Sequence, residues 1–168
     1  MLPGYSRRPE EPEANEFAGE LLMPEVMFRE QLDPVDMNLS RLENISSKFR
    51  TSISATLHRI VDVAVHITAL VRSENGVMKS FHLGHDFPFR VREMRTMLDK
   101  DTCAGQFFKD GVVKERESDV PADAWIEDER LVGGETIREL TFPMPNYNSA
   151  ISLLWVVPGS DLDHLAAG

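Results

Sequence analysis

The spacing of apolar residues changes along this chain and divides it. Between Glu11 and Leu22 they fall at Ala14, Phe17, Ala18, Leu21 and Leu22, which predicts one stripe of an amphipathic helix. Pro24 restarts the backbone, and Val26, Met27 and Phe28 predict a short second helix ending before Asp33-Pro34. Residues 1–9, with Pro3, Gly4, Arg7, Arg8 and Pro9, have no such period and read as a disordered end. From Met37 to about Val65 the helical period returns twice. Leu39, Leu42 and Ile45 mark one helix, and Ile53, Leu57, Ile60, Val61 and Ala64 mark another. Phe49-Arg50-Thr51 is the turn between them, and Thr51 or Ser52 can cap the second helix with its hydroxyl.

After His66 the rhythm becomes that of strands. His66–Arg72 and Val77–Leu83 flank Asn75-Gly76, a dipeptide suited to a two-residue hairpin turn because both positions tolerate positive φ. A helical or irregular stretch with Met94, Met97 and Leu98 follows, then a helix over Thr102–Phe108 broken by Lys109-Asp-Gly111. Residues 115–130, rich in Asp and Glu, read as a solvated surface loop pinned by Pro121 and Trp125. Two more strands, Thr136–Thr141 and Ala150–Val157, end at Pro158. The pattern predicts an α+β fold: N-terminal helices, then an antiparallel sheet with helices.

Composition narrows the classes. The 168 residues have room for one ordinary domain, or a small one with appended helices. A net charge of −10 argues against broad nucleic-acid binding. Arg41, Lys48, Arg50 and Arg59 give the helix pair only a mild local excess of positive charge, fewer basic and amide groups than a helix that reads DNA carries. No apolar run reaches membrane-spanning length and no secretory signal is visible, so no membrane partner and a cytoplasmic location are expected. The single cysteine, Cys103, excludes an internal disulfide and a cysteine zinc site.

One stretch is more specific. Glu11-Pro-Glu-Ala-Asn-Glu-Phe-Ala-Gly-Glu-Leu-Leu-Met-Pro24 resembles the segment after the zinc-binding helix of the ImmA/IrrE metallopeptidases, with its E-x-x-A-N-x-F-A-x-x-L-L-M-P pattern. The resemblance implies Glu11 as third zinc ligand, after two His of an upstream HExxH helix, with Asn15 one helical turn on as a support for a ligating His. Glu13 is the alternative ligand, and Pro12 confines the start of the helix to Glu11 or Pro12. Nowhere in these residues is a His followed by Glu, so two ligands and the general base of such a site are missing. The expectation is a truncated family member whose zinc is not retained and which is inactive alone. A fragment, a split gene or a mis-assigned start would each produce it.

The resemblance extends further. Ser46, Phe49, Ser52, Ala55 and Arg59 match an S-x-x-F-x-x-S-x-x-A-x-x-x-R stretch that follows the peptidase core in the family. Val120-Pro-Ala-x-Ala-Trp125 and Ser152-Leu-Leu-Trp155 are similar to the tail of its longer members, which carry a GAF-like sheet domain. The implied units are a peptidase remnant at 1–33, a helix-turn-helix-like pair at 37–65 and a GAF-like domain at 66–158. The implied activity of complete members is zinc-dependent cleavage of transcriptional repressors in stress response or mobile-element control. The implied partners are a repressor or the missing peptidase part. An apolar face over residues 11–32 that has lost its zinc helix would self-associate or swing against a neighbour rather than fold down on the sheet.

A second function class is a stand-alone small-molecule- or protein-binding regulatory module, in which Phe81, Phe87, Phe89, Phe107 and Phe108 line a pocket or, more simply, fill a core. His82-Leu-Gly-His85 follows a strand, where residues three apart point to opposite faces, so it reads as a polar strand end and not a metal pair. His58 and His66 read as partly exposed. Cys103 lies near Asp99, Lys100 and Asp101; the aspartates raise a thiol's pKa, so it reads as a small buried side chain.

Overall fold

Among the described residues four helices come first: α1 (Glu10–Leu22), α2 (Glu25–Arg29), α3 (Leu39–Phe49) and α4 (Ile53–Val63). They are followed by β1 (Thr68–Glu74), β2 (Val77–Leu83), α5 (Cys103–Asp110), β3 (Ser118–Pro121), β4 (Thr136–Met144), β5 (Ser149–Trp155) and α6 (Asp161–Ala167). The computed structural model describes residues 10–32, 37–64 and 66–167, and of residues 10–13 and 15 the backbone only. The expectations for residues 1–9 and Asp33-Pro34 lie outside the described residues.

Among the described residues one five-stranded sheet forms, in the order β2-β1-β5-β4-β3, and every neighbouring pair is antiparallel. This is the expected α+β architecture. Local chemistry explains the well-placed elements. Asn38 caps α3, accepting from the Arg41 N–H at 2.9 Å, and Ser52 caps α4, accepting from the Ala55 N–H at 3.1 Å. Arg50, between the two helices, adopts the left-handed φ of 53° that ends α3. Asn75 and Gly76, with φ of 52° and 74°, close the β1–β2 hairpin.

The strands alternate, so each buries two different faces. On one side Leu70, Leu140, Ile151, Leu153 and Trp155 meet Leu42, Ile45, Leu57 and Ile60 of α3 and α4. On the other, Val71, Ile137 and Leu154 meet Cys103 and Ala104 of α5, Trp125 and Leu162 of α6. The α3–α4 pair and the sheet thus share one hydrophobic cluster.

Residues 115–130 differ from the loop expected there. Ser118–Pro121 is an edge strand on β4, and Val120, Ala122, Trp125 and Ile126 are buried. A strand of four residues shows only one or two inward side chains, and the flanking acids hid it. Asp119 earns its exposed place by pairing with the Arg138 Nε at 3.1 Å. Helix α6, past Pro158, was not expected; Leu162 anchors it, and Arg130 donates to the Leu165 carbonyl at 2.8 Å.

Glu139, fully buried on β4, organises the second layer. Its Oε2 accepts from the Cys103 N–H at 2.8 Å and the Trp125 Nε1–H at 3.1 Å. Its Oε1 accepts from the Ala104 N–H at 3.0 Å, the Thr141 hydroxyl at 2.7 Å and the Ser152 hydroxyl at 3.1 Å. A buried carboxylate is tolerable only with such a set of donors, and the N-terminus of α5 adds its dipole. Gly105 lets the first turn of α5 pack tightly on the residues before it: a Cβ there would lie 1.9 Å from the Asp99 carbonyl oxygen.

Candidate functional site

Helix α1 is tied to the helix pair by one residue of α4. Arg59, 7% exposed, donates from Nε to the Met23 carbonyl at 3.0 Å and pairs through Nη2 with Glu20. Arg59 is one of the positions that match the family's helix-pair stretch, and here its guanidinium is used up in holding α1. Similarly, Arg41 donates from Nε and Nη2 to the Gln31 carbonyl, fastening the end of the α2 segment. Met23 and Phe28 sink into the core, and the Phe28 ring lies 5.3 Å from that of Phe49. The segment at 11–32 was expected to self-associate or swing against a neighbour rather than fold down on the sheet; its inner side is docked on α3 and α4, with Met23 and Phe28 turned inward around Pro24.

Its outer side remains apolar. Phe17 is 71% exposed, Leu21 69%, Leu22 55%, Val26 77% and Met27 55%. Glu11, Glu13 and Asn15 lie on α1, and Glu11 and Asn15, four apart, share a face. Their side chains lie outside the described residues, so the geometry of Glu11 toward any ligand stays a sequence argument. Among the described residues no group of three or more His, Cys, Asp and Glu is placed to hold a metal.

The histidines divide differently from the sequence spacing. His82 and His85 do not come together on one ligand: His82 turns to α4, where its Nε2 lies 2.6 Å from Asp62 Oδ1 and its ring 5.1 Å from that of His58. His58 was read only as partly exposed, and the cluster it forms with Asp62 and His82 depends on the strand lying beside α4. Donating Nε2–H to the Asp62 carboxylate favours the imidazolium and raises the His82 pKa above 6.5. Burial first, and then the neighbouring His82, lowers that of His58 below 6.5. The His82 pair therefore adds stability that is complete below about pH 6.5 and is lost as pH rises through its elevated value. His58 acts oppositely, contributing above about pH 6.5 and losing it as pH falls through its depressed value. In an NMR titration His82 is expected to titrate above His58, and Asp62→Asn to move His82 downward. Coincident titrations in the unaltered protein would contradict this.

Cys103 is buried, and its thiol is pushed up to about 11 by burial and then by the charge of Glu139. The aspartates expected to raise it are not the cause. The five phenylalanines do not converge on one pocket. Phe87 and Phe89 meet edge-on at 5.8 Å, Phe107 and Phe108 at 5.0 Å, and Phe81 is 42% exposed at the sheet edge.

The helices that carry this docking arrangement are also the part with recognisable relatives. Residues 2–61 match the family model for the IrrE N-terminal-like domain, Peptidase_M78. The N-terminal part of this chain is related to the ImmA/IrrE family. No curated protein matches the chain. The match begins ahead of α1 and ends within α4, so it includes both sides of the Arg59 contact. ImmA/IrrE members of this kind are zinc metallopeptidases, and zinc is thereby implied. The donors described here do not by themselves fit a catalytic zinc, which needs three protein ligands and an open position. No helix among the described residues is long and apolar enough to cross a membrane.

Proposed function

We propose that this chain supplies the third-ligand helix and the C-terminal part of an ImmA/IrrE-type metallopeptidase, and that the HExxH helix comes from outside these 168 residues. On this reading Glu11 is the zinc ligand, Asn15 orients a ligating His, and the assembled enzyme cleaves a transcriptional repressor. The observation that carries it is the α1–α2 face. An inner side is clamped by Arg59 and Phe28, while Phe17, Leu21, Leu22, Val26 and Met27 remain open beside the ligand-bearing sequence. Apolar side chains left in water forgo roughly 1.5–3 kcal/mol each, so a fixed open face favours a covering helix. The units at 1–33, 37–65 and 66–158 then serve as ligand helix, spacer and GAF-like regulatory domain.

The chain alone is expected neither to retain zinc through dialysis nor to cut a repressor. Joined to an HExxH-bearing segment of a family member, it is expected to bind about one zinc per assembly, and Glu11→Ala to abolish that binding. One zinc per isolated chain, lost on Glu11→Ala, would overturn the reading. Self-association through residues 11–32 is the competing use of the same face. Light scattering separates the two, since a chain that is dimeric alone and refuses the added segment supports self-association.

A further inference from the structure

β2 is an edge strand whose outer side is covered over only part of its length. Near its start, Met78 donates to the Thr96 carbonyl at 3.1 Å and accepts from the Arg95 N–H at 2.9 Å. Arg95, with a left-handed φ of 70°, marks the limit of this cover. Beyond Met78, residues 79–83 have no backbone partner on that side among the described residues, and Lys79, Ser80 and Phe81 are exposed. Besides the ladder to β1, this half of the strand has an anchor on each face. Leu83 packs against the cluster that contains Cys103 and Trp125. On the other face His82 reaches α4, its Nε2 lying 2.6 Å from Asp62 Oδ1 and its ring 5.1 Å from that of His58.

The second anchor depends on charge. The groups that act on the two imidazoles are Asp62 and the imidazoles themselves. On β1 the residue across from His82 is Leu70, and Arg72, across from Ser80, is paired with Glu74. Arg59 of α4 is turned to Met23 and Glu20, and Lys79, His85 and Asp86 make no ion pair with either ring. With His82 charged and His58 neutral, the Nε2–H meets a carboxylate and no competing positive charge. Raising the pH takes the proton from His82 and leaves a weaker, neutral hydrogen bond. Lowering it charges His58, which sets a second positive ring 5.1 Å from the first.

We propose that His58, Asp62 and His82 form a pH-sensitive latch that holds the open half of β2 against α4, tightest at about pH 6.5 and loosened on either side. Each arm has its own group: His82 releases the strand on the alkaline side and His58 on the acid side. The opening is local, because β5 and β4 at the sheet's centre carry no part of the latch. Loosening unmasks a strand edge that native sheets otherwise protect. The proposal stands apart from the zinc reading, because none of the three residues belongs to the ligand-bearing stretch.

Amide hydrogen exchange on the full chain, between about pH 5 and about pH 8 and divided by the intrinsic rate at each pH, reads the latch directly. Peptides covering residues 79–83 are expected to open least near the middle of this range. Towards each end their opening should rise roughly two- to fivefold, the size suited to a half-exposed ion pair. Peptides covering residues 149–155 are the control and are expected to hold steady. Asp62→Asn is expected to raise opening of 79–83 by the same factor at about pH 6.5 and to flatten the alkaline arm. His58→Gln is expected to remove the acid arm and keep the alkaline one. Opening of 79–83 that ignores pH, that rises in parallel with 149–155, or that is unchanged in Asp62→Asn overturns the proposal. An acid arm that persists in His58→Gln does the same. Should a variant fail to fold, the profile of the unaltered chain against its control decides alone.

Discussion

Glu139→Leu is expected to destabilise the protein by at least about 3 kcal/mol, the largest effect of any single exchange on the sheet. Leucine fits the volume but leaves the Cys103 and Ala104 N–H groups and the Trp125 indole N–H buried without acceptors. Each such orphan costs about 1–3 kcal/mol. Glu139→Gln separates charge from shape. One oxygen still accepts, but the amide nitrogen now faces donors, so a smaller loss of about 1–3 kcal/mol is expected. Urea unfolding followed by circular dichroism measures both. In a chain of this length 3 kcal/mol lowers Tm by roughly 6–12 °C. A leucine variant within about 1 kcal/mol of the parent would show that the five donors are not held by Glu139 in solution.

Phe28→Ala follows closely in size. The ring is fully buried, packs on Phe49 and closes the cluster formed with Leu42, Ile45 and Leu57. Truncating such a phenylalanine costs about 3–5 kcal/mol, the spread depending on how far the cavity collapses. Here the loss should be local first, because α1 and α2 are otherwise fixed to the pair chiefly by Arg59 and Arg41. Limited proteolysis is expected to cut within residues 14–32 about a hundredfold faster or more, while Trp125 fluorescence is retained. Unchanged protection of that segment would mean that the Arg59 contacts alone hold it.

What the chain made legible was local. Ser52, Asn75-Gly76 and the Leu39, Leu42, Ile45 spacing each decide structure within a few residues, and α3, α4 and the first hairpin lie where those signals put them. The E-x-x-A-N-x-F-A-x-x-L-L-M-P stretch made the family relationship of the N-terminal part legible for the same reason. Long-range chemistry was not. Nothing near Glu139 announces that a strand glutamate would meet the start of α5, since the Cys103 and Ala104 amides and the Trp125 indole that donate to it come from 36, 35 and 14 positions away. Arg59 was visible as a matching position, yet its task as a clamp on Met23 and Glu20 depends on α1 folding back. The apolar segment at 11–32 was read as one exposed stripe, whereas the turn at Pro24 splits it into a buried and an open side.

The strand order carries a consequence for how the molecule comes into being. β1 lies between β2 and β5, and β5 is synthesised after all the other strands. While the ribosome has reached only Met144, β1 has its hairpin partner but presents its other edge unpaired, and β4 also awaits its central neighbour. Both strands carry side chains destined for burial on two faces. Productive pairing of β1 must therefore wait for residues 149–155 and then span about half of the chain, a long-range step that favours slow folding and prolonged exposure of aggregation-prone edges. A nascent chain of this design gains more from a chaperone holding it near the tunnel exit than from any stabilisation of its early helices.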